Sequence, residues 1–103
     1  MSADDKIVVA VDIDLEDIVP GYLENRQKDI VDITRAVDGG DFETIRVLGH
    51  RMKGSGGGYG FDRITDIGFA LENASKEGDG EEIRARVEEL RDYLARVEVT
   101  YEE

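Results

Sequence analysis

The sequence predicts an all-α protein: an antiparallel up-down-up-down four-helix bundle with an extended N-terminal lead-in. Three observations predict it. After residue 14 the apolar residues recur at helical spacing in four separate stripes. The stripes are separated by short glycine-rich breaks, the length that joins antiparallel neighbours. The chain has 103 residues, enough for one domain and too few for two. The expected division is a lead-in over 1–14 and a bundle over 15–101.

In the lead-in, Ile7-Val8-Val9-Ala10-Val11 reads locally as a strand. One strand has no partner in a helical chain, so the expectation is an extended segment packed on the bundle. The first helix is expected from near Leu15 to Val37, with Val19, Tyr22, Leu23, Ile30, Ile33 and Val37 inward. Pro20 belongs close to its start, because deeper inside it would remove a backbone hydrogen bond. Asp38-Gly39-Gly40-Asp41 ends this helix and caps the next: glycine accepts the left-handed turn, and aspartate accepts orphan N–H bonds.

The second helix is expected from about Phe42 through the glycine run Gly54 to Gly60. Asp62 is positioned to cap a third, with Ile64, Ile67, Gly68, Leu71 and Ala74 on one stripe, and Gly78-Asp79-Gly80 stops it. In the fourth, Ile83, Val87, Leu90, Leu94, Val97 and Tyr101 alternate at spacings of four and three, a narrow bundle seam. Glu102-Glu103 are expected to fray.

Composition narrows the function classes. Without cysteine the chain has no disulfide, thiolate nucleophile or thiolate metal site. Twenty-five acidic residues against 13 basic give a formal charge of −12, which repels nucleic acid and anionic lipid over most of the surface. No apolar run approaches the roughly 20 residues of a membrane span, and the start lacks a secretory signal. The expectation is a soluble, cytoplasmic monomer with neither nucleic-acid nor membrane partners.

Against that background one segment stands out. His50-Arg51-Met52-Lys53-Gly54-Ser55-Gly56-Gly57-Gly58-Tyr59-Gly60 contains the only histidine and a dense set of glycines. Each glycine costs a helix interior about 1 kcal/mol relative to alanine, so the run needs a reason. At about 100° per residue, Phe42, Ile45, Leu48, Met52, Gly56 and Tyr59 share the core face, while His50 lies about 140° from Ile45 and faces outward. Its helical neighbours are Arg46 at i−4, Lys53 at i+3, Gly54 at i+4 and Gly57 at i+7. An imidazole between two cations, with bare backbone on one side, suits an incoming anion. On the plainer reading His50 is a solvated surface residue and the glycines form a loop that ends the helix near Lys53.

Other chemistries fit less well. An EF-hand loop counted from Asp12 puts Asp17 where glycine is needed and Leu23 where a glutamate belongs, so no metal site is assigned. A hydrolase using His50 as base could draw on Glu43 or Glu72 as orienting acid but has no placed nucleophile. No Gly-x-x-x-x-Gly-Lys-Ser/Thr loop for nucleotide phosphates is present.

His50-x-x-Lys53-Gly54-Ser55-x-x-x-x-Gly60, with Gly60-Phe61-Asp62 and Gly68-x-x-Leu71-Glu72-x-Ala74, resembles the signature of histidine-containing phosphotransfer (HPt) domains of two-component signalling. The similarity spans about Leu15 to Val99. The resemblance implies a four-helix bundle with an exposed phosphoacceptor, His50, in the second helix. It implies that Lys53 steadies phosphate charge and that Gly54 leaves room for an incoming receiver domain; Arg46, beside His50 by helical spacing alone, is expected to add a second phosphate-stabilising cation. Gly57 extends that open face, and Ser55 and Gly60 complete the motif. Gly56 departs from the family's more usual serine or alanine. The implied role is a phosphocarrier, not a self-sufficient enzyme, exchanging phosphate with response-regulator receiver domains and a sensor histidine kinase. It has no cofactor of its own, and Mg²⁺ is expected on the receiver. The alternative is an adaptor bundle that binds a receiver or kinase without transferring phosphate.

Overall fold

In the computed structural model, which describes residues 5–103, the elements follow one another with short joins. They are strand β1 (Ile7–Asp12), a 3₁₀ turn (Ile13–Leu15), α1 (Val19–Asp38), α2 (Phe42–Ser55), a second 3₁₀ turn (Gly57–Tyr59), α3 (Asp62–Lys76), α4 (Gly80–Arg96) and strand β2 (Val97–Glu102). The all-α bundle is present, and its lead-in carries a short strand. No helix among the described residues is long and apolar enough to cross a membrane.

The helix boundaries follow from local chemistry. Pro20 lies in the first turn of α1, where a missing N–H costs nothing. Leu15, expected inside that helix, sits in the preceding 3₁₀ turn. The Asp41 carboxylate accepts the Thr44 N–H at 3.2 Å and caps α2. Asp79 does the same for α4 through Glu82 N–H at 3.1 Å. Gly40 (φ 72°) and Gly78 (φ 66°) take the left-handed conformation that reverses the chain. Asp62 is the first residue of α3 and not its cap; Phe61 occupies the cap position and is fully buried.

The core is an aliphatic stack: Ile33 of α1, Ile45 and Met52 of α2, Ile64, Ile67 and Leu71 of α3, and Ile83 and Leu90 of α4 are all at most 1% exposed. Most of the expected stripe residues are in it. Leu23, Leu48 and Leu94 are half-buried and pack against it.

The largest departure is at the chain ends. Helix α4 stops at Arg96, and Val97 to Glu102 form a strand parallel to β1, in register from Ile7 with Val97 to Asp12 with Glu102. The lead-in strand therefore has a partner, and Glu102 is paired and not frayed. Val97 and Tyr101 satisfy the helical spacing of the α4 seam, but Val97, Val99 and Tyr101 also satisfy a period of two. They are the half-buried face of β2, while Glu98, Thr100 and Glu102 are exposed. Three β-branched residues in four and an available partner favour the strand.

Helices α2 and α3 approach more closely than side chains normally allow. A methyl group on Gly68 would lie 2.5 Å from Lys53 N and 2.6 Å from Gly49 O. One on Gly49 would lie 2.8 Å from Glu72 N, and one on Gly56 would lie 2.6 Å from Thr65 N. These three glycines let the two backbones touch and fix how α3 lies across α2.

Candidate functional site

Helix α2 carries His50 near its middle and turns it outward: the side chain is 63% exposed. Beneath the ring lies Glu72 of α3, whose side chain is only 7% exposed. Glu72 Oε2 is 3.0 Å from His50 Nδ1, and Glu72 Oε1 is 2.8 Å from Lys53 Nζ. One buried carboxylate thus holds both the imidazole and the lysine. It reaches them because Gly49 and Gly68 carry no side chains to keep the helices apart.

The electrostatics follow from this pairing. The hydrogen bond from Lys53 holds the Glu72 carboxyl below its ordinary range; burial opposes this, and the His50 contact adds to it. Glu72 is therefore ionised at neutral pH and can only accept hydrogen bonds. His50 Nδ1 must be the donor, so the neutral ring carries its proton on Nδ1 and its lone pair on Nε2. The free nitrogen is the one that faces away from Glu72.

The remaining motif residues divide into two groups. Arg46 is drawn back along its own helix to Glu43, with contacts of 2.6 and 3.0 Å, and does not share the Glu72 carboxylate. Gly54 is exposed, and a methyl group there would meet nothing within 4 Å, so the surface one turn from His50 is open. Ser55 is structural in its contacts: its Oγ is 2.9 Å from the hydroxyl of Tyr22 on α1. Gly60 takes a left-handed conformation (φ 92°) that leads into α3 and sits against Ala10 and Val11 of β1.

Gly57 is not where uninterrupted helix geometry puts it. Helix α2 ends at Ser55, and Gly57 begins the second 3₁₀ turn, so it is not a further rung of the His50 face. Its N–H donates to Thr65 Oγ1 at 2.8 Å, and that hydroxyl in turn donates to Lys53 O at 3.1 Å. Thr65 therefore ties off the end of α2. Tyr59, expected on the α2 core face, lies in the same turn, with its ring 4.4 Å from that of Tyr22.

Glu72 is the site residue that sequence reasoning undervalued. It appeared only as part of a motif and as one acid for a hydrolase. The signal was present: Glu72 lies one turn beyond Gly68, on the margin of the buried stripe of α3, where an unpaired carboxylate is costly. Its two partners, 19 and 22 residues earlier in the chain, become neighbours only through the helix crossing.

A family profile described as the Hpt domain matches residues 17–100, about four-fifths of the chain. No curated protein and no solved structure matches it at a significant level. The match covers all four helices and most of β2, with His50, Lys53 and Glu72 inside it. The chain belongs to the Hpt domain family, the phosphotransfer modules of two-component phosphorelays.

Proposed function

We propose that this chain is a phosphorelay intermediate that accepts a phosphoryl group on His50 Nε2 and exchanges it with the aspartate of a receiver domain. The observation that carries this reading is the exposed imidazole whose Nδ1 is bound by the buried, ionised Glu72. It supports a ring with its lone pair presented outward.

In the forward step the Nε2 lone pair forms a bond to phosphorus as the acyl-phosphate P–O bond breaks, and the receiver's aspartate leaves as a carboxylate. The ring keeps its Nδ1 proton and becomes a phosphoimidazolium, whose positive charge is balanced by Glu72. The reverse step restores the neutral ring. Such a transition state is loose and anionic at the equatorial oxygens, so positioning and cations supply most of the catalysis. Lys53, 2.8 Å from Glu72 and one helical turn from His50, is the cation assigned here to neutralise the phosphoryl oxygens. Mg²⁺ is supplied on the partner receiver. Hpt domains act as carriers and not as catalysts, and this chain works in that way between receiver domains and a sensor histidine kinase.

The test is to incubate the purified chain with a radiolabelled phospho-receiver and examine the label. Acid-labile, alkali-stable label that disappears in His50→Gln, with helical content unchanged, is the expected result. Label retained by His50→Gln refutes the assignment. Absence of label with several active receivers and kinases leaves a non-transferring adaptor.

A further inference from the structure

We propose that the outer edge of β1 is an interface between two copies of this chain, which pair antiparallel about Val9 and join their ribbons into one four-stranded sheet. The ribbon has only two strands, and a lone pair of strands is marginal in water. β2 covers one edge of β1, and among the described residues no other backbone group bonds to the strand. Gly60 is its neighbour at the C-terminal end; even an added methyl group there would stand 3.6 Å from Ala10 O, so the loop does not crowd it. Val8, in the outward-facing row, is 63% exposed. Of the five large apolar side chains exposed among the described residues, Val8, Ile13 and Ile18 all lie between β1 and the start of α1, which marks this part of the surface as uncovered. His50 lies on α2, outside this interface, so the inference stands apart from the phosphorelay reading.

Charge selects the second copy. In an antiparallel pair centred on Val9, Ile7 faces Val11 on the inner side of the sheet and Val8 faces Ala10 on the outer side. Lys6 then stands opposite Asp12 of the second copy, and Asp12 opposite its Lys6, so the pairing closes with two ion pairs. Both side chains are exposed, and among the described residues neither is in an ion pair. One Asp12 oxygen accepts the Asp14 N–H at 2.9 Å, which leaves the other for the lysine. The edge of β2 offers no such match to itself: paired about Thr100 it sets Glu98 against Glu102, the like charges that guard a strand edge. The β1 fit uses the same patch on both copies, so it closes at two. A net charge of −12 on each copy opposes it and keeps the dimer weak. A weak dimer departs from the monomer expected from the sequence.

Sedimentation velocity on the purified chain tests this, at about 0.15 M salt, where charges more than about 8 Å apart are screened. The wild type is expected to dimerise reversibly between about 10 μM and 1 mM, as a small interface does. Lys6→Glu alone sets acid against acid at both ends of the pairing, and Asp12→Lys alone sets lysine against lysine; each is expected to weaken self-association at least about tenfold. Mixed in equal amounts, the two variants restore opposite charges at both ends and carry the same total charge as two wild-type chains, so a heterodimer of wild-type affinity is expected. Circular dichroism matching the wild type checks that each variant is folded. Lys6→Glu, exposed and just outside the strand, keeps the test decisive if loss of the Asp12 cap unfolds the other variant. A wild-type chain still monomeric at about 1 mM overturns the proposal. So does a dimer that survives Lys6→Glu unweakened, because another surface then holds it, and so does a mixture of folded variants that fails to associate. Growth beyond dimers sets β1 against β2 of a next copy and overturns the two-fold pairing.

Discussion

The α2–α3 and α1–α4 contacts join the same bundle by opposite means. Between α1 and α4 the helices are held apart by aliphatic side chains, among them Ile33, Val37, Ile83 and Val87. A shallow crevice of about 140 Å³ remains, lined in part by Thr34, Arg84 and Arg91. Between α2 and α3, glycine stands where those side chains would be, and backbone meets backbone. The first contact buries apolar area and tolerates small changes in shape. The second fixes a carboxylate on one helix against an imidazole and a lysine on the other, and a shift of an ångström would break the pairing. Precision is concentrated where the chemistry is.

Substitution at the two contacts should separate these properties. Gly68→Ala is expected to have the largest effect on folding, about 2–3 kcal/mol of lost stability, because its methyl group would meet Lys53 N and Gly49 O, backbone that cannot turn aside. It should also slow transfer by displacing Glu72. Urea unfolding with wild-type stability would show that the close approach is not required.

Lys53→Ala leaves the fold intact and is expected to slow transfer roughly tenfold, with little change in receiver affinity, since it removes a cation and not a docking surface. A rate equal to wild type, measured by rapid quench, would remove Lys53 from the mechanism. Ile83→Val at the other contact should cost about 0.5–1.5 kcal/mol and leave transfer untouched. If it impaired transfer as much as Gly68→Ala, the contrast between the two contacts would collapse.

The smallest effect is on acid stability. The Glu72 pKa is depressed in the folded protein, so its contribution to stability is fully present above the ordinary carboxyl value of 4.5 and is lost as pH falls below it. The gap in urea midpoint between wild type and Glu72→Gln should therefore narrow between pH 7 and pH 3. A gap independent of pH would mean that the charge of Glu72 is not what the fold uses.

Much of this architecture could be read from the chain, and the parts that could not have definite causes. Helix stripes and the Asp41 cap are local features, written in spacing and side-chain chemistry. Outward-facing His50 followed from the helical angle alone, and so did the inward Gly56, whose missing side chain admits α3. Gly57 escaped because a helical angle holds only while the helix continues, and α2 stops two residues earlier. The partner of β1 lay some 90 residues away, in a segment whose valines and tyrosine fit both a helical seam and a strand. Glu72 was visible as a residue and hidden as a partner, because its role depends on a helix crossing made possible by absent side chains.

The parallel pairing of β1 and β2 also gives the molecule a mechanical character. The chain enters β1 at Ile7 and leaves β2 at Glu102, at opposite ends of one ribbon. Tension applied to the two termini would slide the strands past each other and load their hydrogen bonds side by side, instead of opening them one by one. The ribbon then acts as a clasp: the helices that support His50 are shielded from a pull on the chain until that clasp gives way.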